Sequence, residues 1–112
     1  MRIISQNGMI DLPYELVGVG INYINNKEII AYTTGNFYPS DNCWIMGKYS
    51  TDEKANKVME ILRDSYASSE MYKIMSVNQR AIVLMDTPKG KEETLCGVFV
   101  FPQDNEVEET EK

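Results

Sequence analysis

The segment YSTDEKANKVMEILRDSY, residues 49–66, decides the fold of this chain. Ser50 followed by Glu53 is the S-x-x-E pattern of a capping box, which marks the start of a helix. Apolar residues then recur at helical spacing in a stripe about 100° wide, namely Ala55, Val58, Met59, Leu62 and Tyr66. The opposite face carries Glu53, Lys57, Glu60 and Asp64. The pattern predicts a main helix near residues 51–67 that packs its apolar stripe on a sheet and leaves its charged face in solvent.

The sequence around this helix predicts a single antiparallel sheet of about five to seven strands, and therefore an α+β fold. Two hairpins are expected, at residues 1–14 and 17–34, with turns at Asn7-Gly8 and Asn25-Asn26. Further strands are expected near 43–49, 80–86 and 95–101. Residues 67–79 fit two alternatives, a continuation of the helix or a loop followed by a short strand.

The second hairpin has a register that the sequence itself suggests. A turn at Asn25-Asn26 pairs Val19 with Tyr32 and Ile21 with Ile30. One face would then carry Val17, Val19, Ile21, Tyr23, Ile30 and Tyr32. The other face would carry Gly18, Gly20, Asn22, Ala31 and Thr33, together with Ile29. This separation into an apolar face and a small or polar face is typical of a half-buried antiparallel sheet.

The chain has 112 residues, 43% hydrophobic and 25% charged, and is expected to form one α+β domain over residues 1–103. Residues 104–112, DNEVEETEK, hold five acidic residues and one lysine, which predicts a disordered acidic tail. The net charge is -6, and most of it lies in this tail. A weakly charged domain with a negative tail repels the phosphate backbone, so direct nucleic-acid binding is not expected.

The residue types in the chain also limit its chemistry and its location. The sequence contains no histidine, which removes the usual general base near neutral pH and the usual zinc ligand. No complete catalytic motif is visible, so we expect a protein that is not an enzyme and has no metal or other cofactor. Cys43 and Cys96 stand far apart and are interpreted as small buried hydrophobic residues. No signal peptide or membrane-spanning segment is visible, which predicts a cytoplasmic protein that does not enter the membrane.

Two groups of residues are candidates for a binding site. Phe37, Tyr38 and Trp44 lie in or beside the loop NFYPSDN, and aromatic residues of this kind often anchor protein interfaces. The alternative is that these rings fold back over the edge of the sheet. Gly18 and Gly20 alternate onto one sheet face, where they would let a ligand or another backbone approach closely. A bulge or a close contact within the fold is the structural alternative for the glycines.

Three blocks of the sequence carry a family resemblance. They are MRIISQNGMIDLPYE at the start, YSTDEKANKVMEILRDSY in the helix and FVFPQDNEVE near the end. Together they resemble small uncharacterised proteins encoded by prophages and conjugative elements of Gram-positive bacteria. The resemblance implies a mobile-element product that acts in a bacterial cytoplasm on a host or element protein, for example to modulate host defence or a host enzyme. It carries over no activity and no site residues.

Three functional hypotheses follow. The first is a non-enzymatic protein-binding accessory module, whose partner surface is the aromatic loop and the free sheet edge. The second is a small-ligand binder or enzyme with a site between the sheet and the helix, near Gly18 and Gly20. The third is an accessory protein that self-associates through an exposed strand edge.

Overall fold

The computed structural model describes residues 1–33, 43–86 and 97–107, with the backbone alone for residues 83, 84 and 86. The strands are β1 (Arg2–Ile4), β2 (Asp11–Pro13), β3 (Val17–Ile21), β4 (Glu28–Thr33), β5 (Cys43–Lys48) and β6 (Val98–Val100). The helices are α1 (Asp52–Lys73) and α2 (Val77–Asp86), with 3-10 helices at Tyr14–Leu16 and Asp104–Glu106. The fold is α+β, with one main helix, as the sequence predicts.

The described strands form two sheets of three strands each, in the orders β2-β1-β6 and β3-β4-β5. The prediction of one antiparallel sheet is therefore wrong in two respects. The strands divide between two sheets, and β6 runs parallel to β1, with Arg2 paired to Val98. β6 lies within the predicted 95–101 strand, of which residues 95 and 96 fall outside the described residues.

The first hairpin has the predicted pairing but a different turn. Ile3 pairs with Leu12, and the Ser5 N–H donates to the Ile10 carbonyl at 2.9 Å. The turn is closed by the Gly8 N–H donating to the Ser5 carbonyl at 2.9 Å, and Gly8 alone has positive φ in this hairpin, at 74°. The Asn7 side chain supports the turn, because its Oδ1 accepts from the Met9 N–H at 2.9 Å.

The second hairpin is shifted by one residue from the predicted register. Val19 pairs with Ala31 and Ile21 with Ile29, instead of Tyr32 and Ile30. Because side chains alternate between faces, this shift exchanges the two faces of β4. Ile29 and Ala31 are buried in the core, whereas Tyr32 is exposed on the other side.

The main helix is longer than predicted and begins one residue later. Thr51 is the N-cap in place of Ser50, and its side chain accepts from the Lys54 N–H at 3.2 Å. The helix then runs to Lys73, which settles the first part of the open segment 67–79 as helix. Its predicted apolar stripe packs on the sheets: Ala55, Val58, Met59 and Leu62 are buried in the core.

The strand predicted at residues 80–86 is wrong, since this segment belongs to helix α2. Local contacts outweigh the β-branched residues that suggested a strand. The Ser76 Oγ accepts from the Gln79 N–H at 3.3 Å, and the Gln79 side chain accepts from the Ser76 N–H at 3.0 Å. This reciprocal pair is a capping box, and it starts a helix one residue after Ser76.

Gln6 connects the two sheets. Its backbone N–H donates to the Met46 carbonyl at 2.9 Å. Its side-chain amide accepts from the Lys48 N–H at 2.7 Å and donates to the Lys48 and Pro102 carbonyls at 3.2 and 2.9 Å. The Gln6 carboxamide therefore satisfies the backbone groups of Lys48 that point away from β4, and it closes this side of β5.

The chain remains part of the fold beyond the predicted boundary at residue 103. Val107 is buried in the core. The Asp104 Oδ1 accepts from the Ser50 N–H at 2.7 Å, and Oδ2 lies 3.6 Å from the Lys54 ammonium. Asp104–Val107 therefore belong to the domain, because the acidic residue that opens the predicted tail holds it to the start of α1. Residues 108–112, the rest of that predicted tail, lie outside the described residues.

Candidate protein-binding surface

Of the three aromatic residues predicted to form a partner surface, the structure describes one, Trp44. Phe37 and Tyr38 lie outside the described residues. Trp44 lies on β5 opposite the buried Ala31, and it is half-buried against the hydrophobic core. Trp44 thus contributes to packing.

The two candidate glycines lie on the sheet face opposite to α1. Val17, Val19 and Ile21 pack toward the core, so the residues between them face outward. A side chain at Gly18 would meet the Tyr32 ring, with the nearest ring carbon 2.3 Å from the added Cβ. At Gly20 nothing lies within 4 Å of that position. Gly18 therefore serves a close contact within the fold, and the space beside Gly20 is free of other described residues and lies away from the sheet–helix interface.

Helix α2 exposes an apolar surface that sequence reasoning placed in a strand. Val77, Ile82 and Met85 are 81%, 60% and 84% exposed, and Ala81 is exposed as well. These four residues occupy positions i, i+4, i+5 and i+8, which follow one side of a helix. We call Val77, Ala81, Ile82 and Met85 the α2 stripe. A helix on the surface of a domain normally turns such a stripe toward the core.

Arg80 fixes α2 against the end of α1. Its guanidinium donates to the Tyr72 and Lys73 carbonyls at 3.0 and 2.6 Å, and it lies 5.3 Å from the centroid of the Tyr72 ring. These carbonyls belong to the last turn of α1, where a cation is favoured. The Tyr72 carbonyl also accepts from the Met75 N–H at 3.2 Å. These contacts of Arg80, which we call the Arg80 clamp, hold α2 in position. The residues of the α2 stripe take no part in them.

The chain leading into α2 adds two more exposed apolar side chains. Met71 stands in the last turn of α1, and Ile74 is its C-cap residue. Among the side chains described between residues 71 and 85, five large apolar ones are thus exposed, namely Met71, Ile74, Val77, Ile82 and Met85. A concentration of exposed apolar residues of this kind is a candidate interaction site.

The tip of the β3–β4 hairpin is a second exposed apolar site. Tyr23 and Ile24 are both largely exposed. Asparagine side chains hold the loop around them: Asn22 Oδ1 accepts from the Ile24 N–H and Asn25 Oδ1 from the Lys27 N–H, each at 3.1 Å. Such Asx turns fix the backbone, so the two side chains are presented by an ordered tip.

The titratable groups with shifted pKa values have structural explanations. Burial raises the pKa of the Tyr49 hydroxyl, which donates to the Pro102 carbonyl at 2.9 Å. A hydrogen bond from the Met1 amino group lowers the pKa of Glu15, and the Ser50 N–H lowers that of Asp104. A hydrogen bond with Glu70 raises the pKa of Tyr66. The Tyr66–Glu70 contact lies within α1, and the others join neighbouring segments of the fold.

Over residues 1–33, 43–86 and 97–107, no group of three histidine, cysteine, aspartate or glutamate side chains is arranged to hold a metal ion. Neither of the two described α-helices is long and apolar enough to cross a membrane.

Comparison with known proteins gives no relative: no family model, no curated protein and no solved structure matches this chain. The sequence did contain a signal for the α2 stripe, in the capping box Ser76–Gln79 and the spacing of Val77, Ala81 and Met85. The run AIVLM within this segment also fits a buried strand, and for this reason the segment was predicted as a strand instead of a helix.

Proposed function

We propose that this protein is a non-enzymatic protein-binding module that inserts helix α2 into an apolar groove of another protein. One observation carries the proposal: the α2 stripe faces solvent in the described structure, with Val77, Ile82 and Met85 all more than half exposed. Apolar side chains at this spacing are the anchors by which a helix binds a groove.

Burial of the α2 stripe would favour binding. Burying one large apolar side chain contributes roughly 1.5–3 kcal/mol, so three anchors together contribute several kcal/mol before the costs of association. The Arg80 clamp and the capping box hold the helix in place before the partner arrives. A preformed helix loses less conformational entropy on binding than a segment that folds on its partner.

The resemblance to proteins of prophages and conjugative elements supports a setting for this module. In this proposal the partner is a host or mobile-element protein in a bacterial cytoplasm. The net charge of -6 disfavours direct binding to nucleic acid and leaves a protein as the expected partner.

The test is an affinity capture from nuclease-treated bacterial lysate with three forms of the tagged protein. They are the wild type, the double variant Ile82→Lys/Met85→Lys, and the control Glu53→Ala/Lys57→Ala/Glu60→Ala. The control residues are exposed on α1, so the control tests a surface that the proposal does not use.

The expected result is a stoichiometric protein that the wild type and the control retain and the double variant loses. Unchanged thermal unfolding of the double variant would show that the loss is not caused by misfolding. Retention of the same protein by the double variant would refute the role of α2. Loss by the control alone would move the binding surface to the charged face of α1.

A further inference from the structure

Among the described residues, strand β3 is an edge strand without the usual protection. It lies at the end of its sheet, and no other described strand borders its free side. Edge strands normally carry a proline, a charge, a bulge or a cover that prevents pairing with another chain. The sequence of β3 is VGVGI, with neither proline nor charge, and its register with β4 is continuous. At two of the three other edges, β2 contains Asp11 and Pro13, and the Gln6 side chain occupies the outer side of β5. The third, β6, is only three residues long, and very short edge strands are themselves a protection against pairing.

The backbone groups on the free side of β3 can be identified from the ladder. The Asn22 N–H donates to the Glu28 carbonyl at 2.9 Å, so these two residues form a hydrogen-bonded pair. Such pairs recur at every second residue of an antiparallel ladder, which makes Gly20–Ile30 and Gly18–Tyr32 the next two. The N–H and C=O groups of Val17, Val19 and Ile21 therefore point away from β4.

These outward groups match a second copy of the same strand. In an antiparallel pairing centred on Val19, the Val19 residues of the two copies face each other, and Val17 faces Ile21 of the second copy. Every residue with outward backbone groups then meets another such residue, which gives about six hydrogen bonds across the two-fold axis. The strand carries no charge, so this pairing brings no like charges together.

We infer that two copies of the protein associate through β3, in antiparallel register about Val19, and join their β3-β4-β5 sheets into one six-stranded sheet. The side chains beside the strand fit the same arrangement. In this register exposed Leu16 lies opposite Asn22 of the second copy, next to exposed Tyr23. Gly20, beside which the space is open, lies opposite Gly18 of the second copy, and that glycine is covered by its own Tyr32 ring.

This inference is independent of the proposed function, because β3 and the α2 stripe share no residue. A lysine introduced on β3 tests the dimer interface, and lysines introduced in the α2 stripe test the partner interface. Each proposal can therefore fail while the other holds.

The first test is sedimentation equilibrium of the wild type, Gly20→Lys and a control, Ser68→Lys. Nothing lies within 4 Å of the position of a Gly20 Cβ, so the lysine fits the folded monomer. Ser68 is exposed on α1, and its lysine adds the same charge away from β3. We expect a concentration-dependent dimer for the wild type and for Ser68→Lys, and a monomer for Gly20→Lys. A wild type that stays monomeric to millimolar concentration, or a dimer that Gly20→Lys leaves intact, would overturn the inference.

The second test needs no variant and reads the register directly. In amide hydrogen exchange of the wild type, Gly18 and Gly20 should be protected at every concentration, since their N–H groups bond to β4. Val19 and Ile21 should become protected at high concentration and lose that protection on dilution. Rapid exchange of Val19 and Ile21 in a sample shown to be dimeric would place the dimer interface elsewhere.

Discussion

The ring of Tyr32 lies over Gly18, its partner across the β3–β4 ladder, and fills the space that a Gly18 side chain would need. The contact explains why a residue with low strand propensity is accommodated here, because the aromatic ring covers the backbone that glycine leaves bare. The same ring leaves the space beside Gly20 open, so the two glycines have different environments within one strand.

The two glycines should therefore respond differently to alanine. Gly18→Ala places a methyl group against the Tyr32 ring, and we expect a loss of about 1 kcal/mol, since the exposed ring can turn aside at the cost of its packing. Gly20→Ala should leave stability unchanged or raise it by about 0.5 kcal/mol, because alanine restricts the unfolded chain. Chemical denaturation of both variants measures the difference.

A double-mutant cycle gives the control for this contact. In a Tyr32→Ala background the ring is gone, and Gly18→Ala should no longer destabilise the protein. Equal costs of Gly18→Ala with and without the Tyr32 ring would show that the contact does not determine the effect.

Gln6→Ala should lower stability by about 2–3 kcal/mol. The substitution removes the three side-chain hydrogen bonds to the Lys48 and Pro102 backbones, each worth roughly 1 kcal/mol net. It also leaves the outward N–H and C=O of Lys48 on an open strand edge. Urea denaturation followed by circular dichroism would measure the loss.

Gln103→Ala is the matched control for Gln6. It removes a single hydrogen bond, from the Gln103 Nε2 to the Gln6 carbonyl at 2.8 Å, together with the Gln103 side-chain contribution to the capping of the 3-10 helix at Asp104–Glu106. The expected cost is about 1 kcal/mol. If Gln103→Ala cost as much as Gln6→Ala, the link between the sheets would not depend on the Gln6 carboxamide.

Asp104 should make stability depend on pH in the acidic range. The Ser50 N–H and then Lys54 lower the pKa of the Asp104 carboxyl below its usual value. A carboxyl whose pKa is lower in the folded than in the unfolded state stabilises the fold above its unfolded pKa of about 3.9. That stabilisation is lost as the pH falls through the folded pKa.

The test compares the thermal unfolding of the wild type and of Asp104→Asn at a series of pH values from about 2.5 to about 7. This range covers both sides of the unfolded pKa of about 3.9. The wild type should unfold at a higher temperature at neutral pH, and the difference should shrink below about pH 4. Asp64→Asn, at an exposed position of α1, makes the same change of charge and is the control. A difference between wild type and Asp104→Asn that stays constant with pH would contradict the role of the carboxylate.

The sequence correctly predicted those parts of the fold in which a local pattern of residues is compatible with only one structure. The helix stripe from Ala55 to Leu62 and the β1–β2 pairing are of this kind, and the structure confirms both. The β3–β4 register is different, because Ile29 and Ile30 are adjacent and similar, so a shift of one residue keeps an apolar side chain facing the core. The observed register places Ala31 in the core, where it is fully buried.

Contacts between segments distant in the sequence account for the remaining differences. The Gln6 carboxamide forms hydrogen bonds to backbone groups 42 and 96 residues away in the sequence. No local sequence pattern predicts that a glutamine side chain will satisfy the backbone groups at a strand edge. Asp104 likewise appears in the sequence as the start of an acidic tail, although its partners stand at the start of α1. For the site, the aromatic loop was chosen from composition, whereas the α2 stripe required knowing that residues 77–86 are helical.

Arg80→Met should loosen α2 while the core remains intact. The substitution keeps a long apolar side chain but removes the two hydrogen bonds to the α1 carbonyls and the cation over the Tyr72 ring. Charge-assisted hydrogen bonds contribute roughly 1.5–3 kcal/mol, so the local opening of α2 should become at least ten times more frequent. Amide hydrogen exchange should therefore accelerate across residues 77–86 and stay unchanged at the buried Leu62. Equal exchange rates for α2 in Arg80→Met and the wild type would show that other contacts hold the helix, and a Lys73→Met variant, which removes an exposed charge nearby, is the control.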